Sequence, residues 1–361
     1  MIITRASKHS LNSSNNSKLL ELDKLFADYH CDLQYYVNLI YDKKLALAKN
    51  LSSKDLPANI ITHSRWKQII YKQASEIIRA NIKKRKTSRP NIKAISINLD
   101  TRVYDIADGN SFDSFLKIIL PYFNTKGTRA LNIKLPFRKH KQSNKYKDWT
   151  VLNCVKIKKE GNNYFAYLTY QKEVATKLQG SSIGVDSGYK KLFTLSTEQQ
   201  IGIDMKDIYT KISNKKQKSK GFNRSLIERD EAINIAIKSI NLNIIKTVYV
   251  EDLKNLNNKT KIGRKQMNKQ QRWTYSYALN KLEHYCNENG VDVVKVLPHY
   301  TSQKCSGCSA IHRESRKGER YECISCNMVI DADYNASLNI LHRGEYGLSD
   351  NEKELLCTRM S

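Results

Sequence analysis

Two Cys-x-x-Cys pairs, Cys305/Cys308 and Cys323/Cys326, stand 14 residues apart in the C-terminal part of the chain, and an Asp-x-Asp-x-Asn run follows at Asp331 to Asn335. Four thiolates at this spacing supply the closed tetrahedral shell of a structural zinc, with no position left open for a catalytic water. In a long chain without secretory features such pairs read as metal binding rather than as disulfides. His312 lies between the pairs and could replace one cysteine, but four sulfurs already satisfy the metal. The remaining cysteines, Cys31, Cys154, Cys286 and Cys357, are isolated and read as ordinary thiols.

Three acids carry the second chemistry. Asp186 ends the strand-like run Ile183 to Val185, Glu251 ends Thr247 to Val250, and Asp333 opens a segment whose Ala336, Leu338, Ile340 and Leu341 supply apolar positions. Magnesium takes oxygen ligands, and two-metal hydrolysis of a phosphodiester needs several carboxylates converging from different elements. Taken singly, Asp333 is equally a helix N-terminal acid favoured by the macrodipole, and Glu251 a surface acid before a loop. The reading of Asp186, Glu251 and Asp333 as magnesium ligands gains its weight from all three together. Asp252 follows Glu251, and only one of these neighbours on a strand can face a common site. Asp331 is the expected N-cap, which frees Asp333 in the first turn.

The elements that must position these groups can be read along the chain. Met1 to Ile3 begins a strand, and SLNSSNNS reads as a linker. Lys18 to about Arg85 is helical in pattern, with Leu22, Leu25, Phe26 and Tyr29 among the periodic positions; its tyrosines read as core rather than as base-stacking residues. Strand character appears at Ala94 to Leu99, Ala130 to Leu135, Val151 to Ile157 and Tyr164 to Tyr170, with a helix-like insert at Phe112 to Phe123. These suggest a small β-barrel-like domain to which the first strand returns. Residues 205 to 224 are rich in Lys and Ser and read as exposed. Helices are expected at Leu226 to Ile245 and Trp273 to Asn289, then a strand at Val291 to Leu297. Gly344 to Ser361 is of mixed charge and reads as peripheral.

The chain has 361 residues, enough for two or three domains, and 62 Lys and Arg against 35 Asp and Glu give a net charge of +27. Such an excess repels itself unless a polyanion neutralises it, so nucleic acid is the first candidate partner. Candidate phosphate contacts are Lys83, Lys84, Arg85 and Lys86 after a second helical stretch at Trp66 to Ile82, Arg138, Lys139 and Lys141, and Lys261, Arg264 and Lys265 in the basic run after Glu251. No segment approaches the ~20 apolar residues of a membrane span, and the N-terminus lacks a signal-peptide core. The expectation is a cytoplasmic or nucleoid-associated protein without a membrane partner. Nothing in the sequence speaks to oligomeric state.

The ordered motifs GVDSGYKKLFTLS, VYVEDLKNL, YTSQKCSGC with CISC, and DADYNASLNI resemble the TnpB family of insertion-sequence proteins, compact relatives of type V CRISPR effectors. The resemblance implies a multidomain protein of α/β and α+β class. An RNase H-like (RuvC) nuclease domain would occupy residues 179–302 and 328–343, interrupted by a zinc ribbon at 303–327. A β-barrel wedge domain at 1–15 and 91–178 would carry a helical recognition insertion at 16–90, and 344–361 would be a C-terminal tail. It further implies catalytic acids at Asp186, Glu251 and Asp333, structural Zn²⁺, catalytic Mg²⁺ and a guide RNA. The implied activity is RNA-guided, Mg²⁺-dependent cleavage of DNA, double- and single-stranded, next to a short transposon-adjacent motif. Strand transfer of the transposase type and non-cleaving regulation are the alternatives on the same fold. Ser309 departs from the family pattern, which usually has Gly after the second cysteine.

Overall fold

The structure, a computed structural model, describes residues 1–42, 54–85, 87–123, 130–203, 205–253, 275–349 and 352–353. Lys86, Cys357 and the candidate phosphate contacts Lys261, Arg264 and Lys265 lie outside these residues. The chain divides into two compact units, residues 2–172 and, with Met1, residues 173–361. Both mix helix and strand. Among the described residues no helix is long and apolar enough to cross a membrane.

The unit of residues 2–172 contains β1 (Ile2–Ser10), α1 (Asn16–Tyr41), α2 (Ser64–Lys83), β2 (Ser96–Asp100), β3 (Tyr104–Asp108), β4 (Ser114–Phe123), β5 (Ala130–Phe137), α3 (Lys141–Asn144) and β6 (Thr150–Glu160), with β7 (Asn163–Glu173) at its end. Two sheets form, one in the order β1-β7-β6-β2 and one in the order β3-β4-β5. The first strand therefore does return to pair late in the unit, and it runs from Ile2 to Ser10, where the linker begins. The expected helix-like insert at Phe112 to Phe123 is instead strand β4. Leu116, Ile118 and Leu120 are buried at alternate positions, which is the period of a strand with one face on the core. Tyr29 and Tyr36 of α1 are buried with Trp66 and Ile70 of α2 and with Leu116, Ile118, Val155 and Ile157 of the strands, so these tyrosines are core.

The other unit runs β8 (Ser181–Ser187), β9 (Phe193–Leu195), β10 (Gln200–Ile201), α4 (Met205–Ser213), α5 (Lys220–Lys238), β11 (Ile245–Glu251), α6 (Tyr275–Glu288) and β12 (Asp292–Val296). Then come β13 (Arg316–Lys317), β14 (Arg320–Glu322), β15 (Val329–Asp331) and α7 (Ala332–Tyr346). The main sheet has the order β10-β9-β8-β11-β12. β8, β11 and β12 are parallel, whereas β9 and β10 are antiparallel additions. The Lys- and Ser-rich stretch from residue 205 is not simply exposed: α4 buries Met205, Tyr209 and Ile212, and the first two join the sheet's core. β13, β14 and β15 form a separate small antiparallel sheet beside the cysteines. The C-terminal segment is also less peripheral than its charges suggest, since Glu352 is buried.

Candidate metal centres

Parallel pairing sets the first two acids side by side. Val185 of β8 is in register with Val250 of β11, so Asp186 and Glu251 each follow a paired valine at the C-terminal ends of adjacent strands. In open α/β sheets ligands bind outside the carboxyl ends of the strands. The neighbour Asp252 donates its main-chain N–H to Val296 O at 2.8 Å. Glu251 turns its carboxylate to the Thr301 hydroxyl, which donates to it.

The third acid arrives on α7. Asp331 caps this helix by accepting from Asp333 N at 2.9 Å and Tyr334 N at 3.0 Å, which leaves the Asp333 side chain free of capping in the first turn. Lys191, in the turn after β8, reaches the other Asp331 oxygen at 2.9 Å. The helix lies directly on the sheet because glycines permit it. A methyl group added at Gly184 of β8 would stand 2.1 Å from Ser337 O, and one added at Gly344 would stand 2.2 Å from the Tyr249 ring of β11. That close seating brings the start of α7 to the end of β8, where a methyl at Gly188 would lie 3.8 Å from Asp333 Oδ2.

Electrostatics tie the three acids together. Burial pushes the Asp186 carboxyl well above the ordinary carboxylate range, and the negative charges of Glu251 and Asp333 push it further. Burial also raises Glu251, against the Thr301 hydrogen bond and the positive charges of Arg343 and Arg316. Arg316 Nη2 lies 2.8 Å from Asp333 Oδ1. The cluster is thus short of positive charge, and its donors are all oxygens, which is the set a hard divalent cation takes. Among the described residues the groups of His, Cys, Asp and Glu side chains close enough to hold a single metal ion reduce to the four cysteines, whose ligand atoms lie within 4.8 Å of one another.

The four cysteines do converge. Cys305 and Cys326 have their sulfurs 3.7 Å apart, and Cys308 and Cys323 theirs 3.6 Å apart. A regular ZnS₄ tetrahedron with bonds of about 2.3 Å has edges of about 3.8 Å, so the residues present fit a zinc ion. Each knuckle turns on a left-handed residue, Ser309 at φ 64° and Asn327 at φ 56°. Their N–H groups donate to Cys305 O and Cys323 O, both at 2.9 Å. Cys305, Tyr321, Cys323 and Ala332 form a small core, and Ala332 is the first residue of α7. His312 takes no part in the cluster; its Nε2 lies 3.0 Å from Ser325 Oγ.

Sequence reasoning missed the polar residues that hold this arrangement. Asn335, Asn339 and Arg343 recur every four residues on α7 and are buried. Asn335 Nδ2 and Asn339 Nδ2 both donate to Lys304 O, at 2.8 and 2.7 Å, and Asn339 also reaches Thr301 O at 2.9 Å. Arg343 Nη1 donates to Leu297 O and His299 O at 2.5 Å each. The linker from β12 to the first knuckle is therefore held to α7 by its main chain and to Glu251 by Thr301. The four-residue spacing was the one available signal. Arg316 gave none, being one of several cations in a polar loop. Of the basic candidates, Lys83, Lys84, Arg85, Arg138, Lys139 and Lys141 are exposed in the unit of residues 2–172. Arg138 stacks over Phe112 and Lys139 pairs with Asp108 at 3.7 Å.

A family model described as Cas12f1-like, TNB domain, matches residues 275–340, which take in α6, β12, all four cysteines and Asp333. A CRISPR-associated endodeoxyribonuclease Cas12f1 from Sulfoacidibacillus thermotolerans is 38% identical over 95 residues, 26% of this chain and 21% of that protein. The Cas12f1 of an uncultured archaeon is 33% identical over 135 residues, 34% of this chain and 24% of that protein. A TnpB-like protein of Methanocaldococcus jannaschii is 31% identical over 103 residues, 27% of this chain and 35% of that protein. The chain thus matches between 21% and 35% of the length of these relatives. A solved Cas12f1–sgRNA–target DNA complex shares the fold, with a TM-score of 0.56 at 18% identity over 89% of this chain and 81% of that one. By these matches residues 275–340 are similar to the Cas12f1-like TNB domain, stretches of the chain are similar to Cas12f1 and TnpB-like proteins, and the fold is shared with the Cas12f1 complex.

Proposed function

We propose that the protein is an RNA-guided, Mg²⁺-dependent DNA endonuclease encoded by a transposable element, cutting next to a short adjacent motif. The observation that carries this reading is the meeting of Asp186 and Glu251, on adjacent parallel strand ends, with Asp333 in the first turn of a helix seated on those strands. The strand order β10-β9-β8-β11-β12, antiparallel on one side and parallel on the other, is that expected of an RNase H-like (RuvC) domain. The small sheet with its four cysteines is read as the zinc ribbon, and the two sheets and helical pair of residues 2–172 as the wedge and recognition parts.

Asp186, Glu251 and Asp333 would hold two Mg²⁺ ions. When bound, these lower the pKa of a water and stabilise the leaving oxygen of the displaced phosphodiester. The chain's own contributions are positional. Thr301 fixes Glu251, the Asp331 cap aims the first turn of α7, and Arg316 orients Asp333 while relieving repulsion among the acids. Four thiolates would close around zinc and fix the arm that bears Arg316. A net charge of +27 suits guide RNA and DNA as partners. The relatives named Cas12f1 are endodeoxyribonucleases, and the similar solved complex contains a guide RNA and target DNA.

The test is Asp186→Ala in the protein copurified with RNA from its own locus. Cleavage of a target library with randomised flanks should vanish while RNA and DNA binding remain. Equal loss of binding and cleavage would sink the assignment, and joining of transposon ends would favour strand transfer.

A further inference from the structure

Three ionised side chains are buried together beside the acid cluster: Arg343 with 4% of its side chain exposed, Glu352 with 1% and Lys304 with 5%. Arg343 is the third rung of the polar ladder on α7 and donates to Glu352 as well as to the linker carbonyls. Glu352 also accepts from Ser349 N at 2.8 Å and Ser349 Oγ at 2.9 Å, and Lys304 Nζ stands 3.6 Å from it. Two buried cations therefore share one carboxylate, a net charge of one positive unit. Buried charges demand a partner, and removing one partner leaves the other uncompensated. The linker that Arg343 holds also carries Thr301, which donates to Glu251, and the Arg343 charge reaches the Glu251 carboxylate.

We infer that Glu352, in the C-terminal segment, is a positioning residue for Glu251. It keeps the Arg343 guanidinium on the linker and cancels positive charge that would otherwise compete with a divalent cation for the Glu251 carboxylate. The inference rests on the reading of Glu251 as a cation ligand. Two roles for Glu352 make opposite demands. A purely mechanical clasp weakens with every hydrogen bond or ion pair removed from it. An electrostatic one depends on net charge, which Glu352→Gln raises by one unit and Lys304→Gln lowers again.

The experiment measures Mn²⁺ binding to the full-length protein by electron paramagnetic resonance of the free ion, with melting temperature and zinc content alongside. Glu352→Gln should weaken Mn²⁺ binding by about tenfold at full zinc content, the size of effect one extra charge has at close range in a partly buried site. The double variant Glu352→Gln/Lys304→Gln should recover most of that loss. Mn²⁺ affinity in Glu352→Gln equal to the parent's, or a double variant weaker than the single, would overturn the inference. Asp186→Ala serves as the reference arm. Mn²⁺ binding unchanged by that substitution overturns the acid-site reading itself, and this inference falls with it.

Discussion

Arg316 and Asp333 form an ion pair at 2.8 Å, which joins the arm between the two cysteine knuckles to the first turn of α7. Arg316 is 31% exposed and Asp333 18%, so the pair is half-shielded from water. The positive charge of Arg316 also reaches Asp186 and Glu251 and lowers both. One guanidinium from the small sheet thus serves the two acids of the large sheet and the one on α7.

Replacing Arg316 by Ala should therefore act through proton affinity. With that charge gone, Asp186 and Glu251 rise further and must be deprotonated at higher pH before a cation can bind. The acid limb of the cleavage pH profile should move to higher pH, and cleavage at neutral pH should fall by about tenfold or more, the scale of losing a paired charge in a shielded site. Folding and zinc content should be unchanged. Cleavage measured across pH at saturating Mg²⁺ checks this; an unshifted acid limb would refute it.

Gly184→Ala tests how α7 is seated. The added methyl would meet Ser337 O and Leu341 N, at 2.1 and 2.6 Å, both on the helix backbone, so no flexible side chain can yield. Overpacking of this kind costs about 1–3 kcal/mol. Thermal or urea unfolding should show a loss at the upper end of that range. Because the helix must lift, Asp333 moves from Asp186 and cleavage should fall even where the protein remains folded. Gly221→Ala, whose methyl would meet only the Lys215 side chain at 3.8 Å, is the control for the steric part.

The legibility of this site from sequence follows its chemistry. Asp186 and Glu251 can be found because a short buried strand announces its end and an acid there is unusual. The cysteines can be found because their spacing is itself the geometry. β4 reads wrongly as a helix because SFLKIILPYF is an apolar run with only Lys117 to mark its outer face, and periodicity cannot separate such a run from a helix. α4 is hidden by its lysines, although Met205, Tyr209 and Ile212 already define a helical face. Asn335, Asn339 and Arg343 are legible as a stripe but not as a buried one, since polar side chains are expected outside until their partners are known. Those partners are main-chain oxygens of residues 297 to 304, which no side-chain pattern encodes.

The two knuckles predict an asymmetry. Ser309 and Asn327 occupy equivalent left-handed positions, yet Asn tolerates that conformation better than Ser. Ser309→Gly removes a strain of about 1 kcal/mol or more, offset by a backbone entropy cost of about 0.5–1 kcal/mol, for a small net gain. Asn327→Gly gains less or nothing. Competition of each variant with a zinc chelator, followed by zinc release, should rank Ser309→Gly as the most retentive. Complete chelation should unfold the arm in all of them, because the small core of Cys305, Tyr321, Cys323 and Ala332 is built around the metal ligands.

Glu352 makes the stability pH-dependent in a stated direction. Burial alone would raise its carboxyl, but the N–H and hydroxyl of Ser349 together with the charges of Arg343 and Lys304 hold it below the usual carboxylate range. A carboxyl depressed in the folded state contributes stability that is fully present above its unfolded value of about 4.3 and is lost as pH falls through the folded one. Unfolding midpoints measured in denaturant should accordingly decline more steeply below about pH 4.3 for the parent than for Glu352→Gln, whose amide does not titrate. At pH 7 the order is parent above variant, and the two curves approach each other as acid protonates Glu352. Parallel curves from pH 7 to pH 3 would mean that Glu352 does not titrate with folding, and that Arg343 and Lys304 find their compensation elsewhere.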